Sequence, residues 1–113
     1  MQTVPEKSTT GLDANLAGAL AYLLGFITGI VLLVIEKDSK FVRFHAMQST
    51  IIFLGLFATQ LALNVVPILG FLISLLLIPV VLILWLVLMF KAYQGERFKL
   101  PVVGDIAEQQ VGA

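Results

Sequence analysis

Two stretches without a charged residue limit what this chain can fold into. The first runs from Ala14 to Ile35, 22 residues, and the second from Ala46 to Phe90, 45 residues. As helices they measure about 33 Å and about 67 Å, so the first fits one crossing of a hydrocarbon core about 30 Å thick and the second about two. Lipid offers no partner for a bare peptide group, so only helices or a closed barrel cross it, and no alternating strand pattern is present. The second run must therefore turn back on itself. The turn is expected at "NVVPILG", where Asn64, Pro67 and Gly70 are the chain-reversing residues.

The expected fold is all-α, a polytopic membrane helical bundle of about three transmembrane helices. A flexible tail covers 1–12. A transmembrane domain covers 13–94, with spans at about 14–36, 41–63 and 68–92, and a cytoplasmic tail covers 95–113. An alternative for the first run is a kinked or split helix, because Gly25 and Gly29 can break it. The short tails are expected to be amphipathic or disordered.

Composition agrees. Charged residues make up 12% of the chain and hydrophobic ones 59%, whereas a soluble domain carries about 25% charged residues. The net charge of zero leaves no basic footprint for nucleic acid. Cysteine is absent and histidine occurs once, which removes disulfides, thiolate sites and multi-histidine metal sites. No cofactor is expected. The N-terminus lacks the basic start and short apolar core of a signal peptide, so the first run is read as retained.

Lysine and arginine set the orientation. One lies in the N-tail (Lys7), three near the first loop (Lys37, Lys40, Arg43), none at the second turn and three after the last span (Lys91, Arg97, Lys99). The positive-inside rule puts the first loop and the C-terminus in the cytoplasm of a multi-pass protein of the cell membrane. With three spans, the N-tail and the Asn64–Pro67 turn lie outside.

Helices in lipid associate through small residues. Gly18, Gly25 and Gly29 share a face of the first run with Tyr22, and Asn15 sits at its edge. Gly55 and Thr59 share a face of the second with Phe41, Phe44 and Gln48. Gly70 and Ser74 form a further small pair. Pro79 lies in mid-span and is expected to kink it. Phe90 and Tyr93 suit the membrane interface better than Trp85, which lies inside the apolar run.

The stretch "FVRFHAMQST" holds Phe41, Arg43, Phe44, His45, Met47 and Gln48. Phe41 and Phe44 read as interfacial aromatics. Lys40 and Arg43 read as cations reaching anionic headgroups, and Ser39 or Asp38 as the helix cap. His45 and Ser49 stand at i, i+4, but no carboxylate is placed to orient the imidazole, and no hydrolase, zinc-protease or phosphate-loop motif occurs. An enzyme is not expected. The tail "YQGERFKLPVVGDIAEQQ" is expected to turn at Pro101 and Gly104, start a short helix near Asp105, and lie by the first loop.

"NLAGALAYLLGF", "EKDSKFVRFHAMQST" and "FKAYQGERFKLPVVGDIAEQ" together resemble a family of small prokaryotic membrane proteins. That family is related to the twenty-kilodalton subunit of the protein translocon at the chloroplast inner envelope. The resemblance covers about residues 11–110. Arg43, Phe44, Met47 and Gln48 match the plastid R-F-x-x-M-Q pattern, and His45 stands where the plastid proteins carry Asn. The resemblance implies an all-helical polytopic protein with membrane-protein partners.

Three functions are compatible with these features. The leading one is a non-enzymatic membrane component that self-associates or joins a larger complex, with a translocon-like role. The second is an oligomeric channel or small-solute transporter lined by Gln48, Thr59, Gln60 and Asn64. The third is a lipid-binding protein that grips headgroups through Lys37, Lys40, Arg43 and His45.

Overall fold

The computed structural model describes residues 7–112. Within them the chain forms five helices: α1 (Ala14–Leu23), α2 (Phe26–Ile35), α3 (Lys40–Leu63), α4 (Pro67–Tyr93) and α5 (Val103–Val111). One isolated bridge, Lys7 to Asp13, is the remaining regular pairing among the described residues. Residues 1–6 of the expected N-tail and Ala113 lie outside the described residues.

The two halves of the long second run fold as α3 and α4. Both are long and apolar enough to cross a membrane. They are not the core of a water-soluble protein, because only 6% of the most apolar stretch of α4 is buried within the chain. The connection at 64–66 is tight. Pro67 opens α4, where its missing amide costs nothing. A Cβ on Gly70 would stand 2.0 Å from the Leu63 carbonyl oxygen, so only glycine lets the helices approach this closely. Helix α4 continues through Pro79 without a break in its assignment.

The first run, expected as a span of about 14–36 or as a kinked or split helix, does not form one continuous helix. It breaks at Leu24–Gly25 into α1 and α2 of ten residues each. Each is about 15 Å long, half the depth of a hydrocarbon core. Contacts along α3 give their directions. Gly18 faces Phe41 and His45, and Gly25 faces Phe53, further along α3. Gly29 then faces Ala46, Ser49 and Thr50, and Arg43 reaches back to the Leu33 carbonyl. Helix α1 thus ascends along α3 to about its middle, and α2 returns. The pair is a half-depth helical hairpin with both ends at the N-terminal end of α3.

Gly25 makes the reversal possible. Its φ of 64° and ψ of −130° are open almost only to glycine. A break at this depth frees backbone carbonyls that lipid cannot satisfy. Three of the carbonyls at the break have side-chain partners here. Thr28 Oγ1 donates to Ala21 O (3.2 Å) and accepts from Leu24 N (3.1 Å). The Trp85 indole N–H donates to Tyr22 O (2.6 Å), and Ser49 Oγ donates to Gly25 O (3.0 Å).

The hairpin brings the segment just before α1 to the same end of the molecule as the α2–α3 loop, where three full spans would have put it at the other end. Thr9 N donates to the Glu36 carboxylate (2.7 Å), and its hydroxyl reaches Asp38 (3.1 Å), so the segment before α1 lies beside the α2–α3 loop. Asn15 Nδ2 donates to Tyr93 O (2.8 Å), which ties the start of α1 to the end of α4. Every charged group of the described residues therefore lies at one end of the molecule. The 64–66 turn is the uncharged end. The buried core also sits toward the charged end. Alanines 14, 17, 21 and 46 pack there with Leu32, Phe41 and Val42, and Tyr22 packs with Ile52, Leu88 and Ala92.

Candidate functional site

Three fully buried polar side chains converge where α1, α3 and the C-terminal segment meet. Tyr22, His45 and Gln48 each have no solvent exposure. The side chain of Gln48 makes three bonds. Its Nε2 donates to Tyr22 Oη (2.8 Å) and Phe98 O (2.9 Å), and its Oε1 accepts from Leu100 N (3.0 Å). Tyr22 Oη, already accepting from Gln48, gives its own proton to His45 Nδ1 (2.7 Å). Nε2 must then carry the imidazole proton and donate it to Glu96 O (2.9 Å). This neutral tautomer satisfies every group in the chain of bonds; a proton on Nδ1 would leave the tyrosine hydrogen without an acceptor. Three aromatic rings enclose the imidazole: Phe41 at 4.5 Å, Phe44 at 5.1 Å and Tyr22 at 5.5 Å between centroids.

The arrangement is a clamp on the extended segment 96–100. That segment descends along α3 from the level of His45 to that of Gln48. Helix α5 then returns to the charged end, where Lys40 Nζ donates to Gly112 O (3.2 Å). The helix begins at Val103, two residues before Asp105, and Val102 enters it with φ 69°. The tail lies by the first loop as expected, and it is ordered by bonds to α3.

A second polar knot closes the loop between α2 and α3. The Glu36 carboxylate accepts from the Ser8 hydroxyl, from Thr9 N and Oγ1 (both 2.7 Å) and from Asp38 N and Ser39 N (both 3.1 Å). Burial alone would raise its pKa, but the hydrogen bonds from Ser8, Thr9 and Ser39 outweigh it and hold the carboxyl below its ordinary value. Ser39 caps α3 by accepting from Val42 N (3.2 Å). Arg43 donates to Leu33 O (3.0 Å) and Glu36 O (2.9 Å), the carbonyls left open at the end of α2.

These positions differ from several expectations. Phe41, Phe44 and His45 are buried inside the chain. The Arg43 guanidinium caps the end of α2. Ser49 bonds Gly25, so it does not meet His45. Gly18, Gly25, Gly29 and Gly70 pack as helix contacts, whereas a Cβ on Gly55 would meet nothing within 4 Å. Thr59 is exposed and bonds its own helix at Gly55 O (2.9 Å). Gln60 accepts from Ser74 (3.1 Å) and donates to Asn64 (3.2 Å) near the uncharged end, far along α3 from Gln48. Met47 is half-buried. Sequence reasoning did not assign the polar roles of Tyr22, Glu36 and Trp85. The available signal was a phenol and an indole inside apolar runs, since a buried O–H or N–H needs a partner.

Among the described residues no group of three or more histidine, cysteine, aspartate or glutamate side chains could hold a metal. No buried side-chain polar atom among them lacks a partner. The bonds of the site hold three chain segments together.

Residues 6–107 match the family described as the Magnetosome magnetite crystal formation protein family. The chain belongs to that family. Its relatives include UPF0132 membrane proteins. One from Archaeoglobus fulgidus is 58% identical over 105 residues, covering 89% of this chain and 98% of the relative. One from Methanocaldococcus jannaschii is 54% identical over 103 residues, covering 91% and 93%. A second from Archaeoglobus fulgidus is 46% identical over 92 residues, covering 81% and 95%. No solved structure matches the chain. The relatives' names and the two long apolar helices agree that this family member is a small membrane protein.

Proposed function

We propose that this chain is a non-enzymatic component of the cell membrane that assembles with further copies of itself. In this reading α3 and α4 are the two spans, and α1–α2 is a hairpin entering from the charged side. All seven Lys and Arg residues then lie in the cytoplasm, in accord with the positive-inside rule.

One observation carries the assembly reading. A single face of α3 is covered in its first half and open in its second. At Gln48 the chain's own segment 96–100 occupies it. Further on, Gly55, Ala58, Thr59 and Ala62 stand at i, i+3, i+4 and i+7, all exposed. Small residues at this spacing let helices approach closely in lipid. The chain lacks cysteine, so Ala58→Cys tests this directly. Oxidation in native membranes is expected to give a disulfide-linked dimer, and Leu76→Cys, on the exposed face of α4, none. Equal dimer from both, or none from Ala58→Cys, overturns the reading.

The channel reading has less support, because Gln48 is separated from Thr59, Gln60 and Asn64 and is used internally. Headgroup binding loses Arg43 and His45 to internal bonds. The translocon-like role rests on Arg43, Phe44, Met47 and Gln48, of which Arg43, Phe44 and Gln48 are engaged in holding this fold. The family's description in terms of magnetite formation is best accommodated as an assembling membrane role, since the described residues provide no metal-ligating cluster.

A further inference from the structure

The half-depth hairpin leaves a space. Beyond its tip, between α3 and α4, lies a cleft of about 530 Å³ with Leu24 and Phe26 at its floor and Phe53, Leu77 and Val81 among its walls. Thr59, Gln60 and Ser74 line its other end. The cleft is graded: hydrocarbon over most of its length, and amide and hydroxyl groups only toward the uncharged end. From Ser74 to Trp85 along α4 is about 17 Å at 1.5 Å per residue. One leaflet of hydrocarbon is about 15 Å deep, half of a core of about 30 Å.

We infer that this cleft holds one hydrocarbon chain of an outer-leaflet lipid, whose glycerol-level oxygens meet Gln60 and Ser74. The inference rests on the two-span reading above and adds a ligand to it. Length and polarity both select this occupant. The hairpin of α1 and α2 turns at Leu24–Gly25 and does not extend into the space, and an amphiphile entering from the uncharged face fills its apolar length. Gln60 gives one amide hydrogen to Asn64, and an amide carries a second that a lipid oxygen can accept. A lipid chain seated here supports the floor of the hairpin, where Trp85 donates to Tyr22 O (2.6 Å).

Trp85 is the chain's single tryptophan and lines the cleft, so it reports on the occupant directly. The full-length protein in vesicles doped with lipid brominated near the chain terminus is expected to show saturating quenching. The quenching should exceed what bulk lipid collisions give at the same mole fraction. Filling the cleft by Val81→Phe or, as a second variant, Leu77→Phe should reduce the quenching at least twofold. Leu76→Phe, 73% exposed on the other side of α4, should leave it unchanged. Quenching that simply follows mole fraction, or that ignores both filling variants, overturns the lipid site while leaving the two-span reading intact. No quenching from bromine at any chain depth overturns the two-span reading itself.

Discussion

The charged half of the molecule and the uncharged half are stabilised by different physics. In the charged half, Tyr22, Glu36, His45 and Gln48 are fully buried, and their hydrogen bonds fix the positions of three chain segments. In the uncharged half, Val65 of the turn and Ile68 and Leu76 of α4 are 80%, 80% and 73% exposed. Polar side chains there are exposed or half-buried, Gln60 pairing with Asn64 one turn on and with Ser74 across on α4. A buried polar group is costly to orphan, so the first half specifies one arrangement. An apolar helix surface in lipid specifies little by itself, which leaves the second half free to accept neighbours.

The largest effect is expected at Gln48. Gln48→Leu strands the Phe98 carbonyl and the Leu100 amide and removes the donor to Tyr22 Oη, at about 3 kcal/mol for buried groups left unpaired. Limited trypsinolysis at Arg97 and Lys99 should accelerate as the segment detaches. Leu76→Val in the other half should shift unfolding by less than about 0.5 kcal/mol. Equal sensitivity of the two sites would end the comparison.

Next is Gly25→Val. The residue's φ of 64° and the Phe53 ring 3.3 Å from a notional Cβ both resist a side chain. A strained backbone of this kind costs about 1–3 kcal/mol, to be read from denaturant-induced unfolding in detergent. A neutral result would mean that the hairpin does not turn there.

The smallest of the three effects concerns Glu36. Its folded pKa lies below the ordinary value of 4.5, so its contribution is complete above that value. It is lost as pH falls through the lower folded value, where the carboxylate takes up a proton. Stability measured from pH 7 to pH 3 should decline across that window in the natural chain, and Glu36→Gln should flatten the decline. Unchanged pH dependence in the variant would assign the loss to other groups.

Much of the fold is readable from charge spacing. Two charge-free runs and the Asn64–Pro67 turn locate α3 and α4, because hydrophobic length against bilayer thickness is a one-dimensional quantity. The hairpin was present only as an alternative at Gly25. A 22-residue apolar run satisfies the length test whether it crosses or returns, and the difference lies in who bonds Ala21, Tyr22 and Gly25 O. Those partners, Thr28, Trp85 and Ser49, include two from distant helices. The clamp was partly visible. Gln48 goes deeper than an interface anchor requires, but its partners Phe98 and Leu100 offer backbone groups, which carry no residue-specific signal. Arg43 and His45 resembled an interface pair because cation and imidazole beside an apolar run look alike whether they face out or in.

The central claim is that the chain before α1 lies on the same side as the C-terminal tail. A cysteine-free chain permits single-cysteine mapping with a membrane-impermeant maleimide on intact cells. Thr10→Cys and Gln110→Cys, both exposed, should label only after permeabilisation, and Val65→Cys should label without it. Labelling of Thr10→Cys from outside, with Gln110→Cys still protected, would mean that the first run crosses the membrane and would contradict the hairpin.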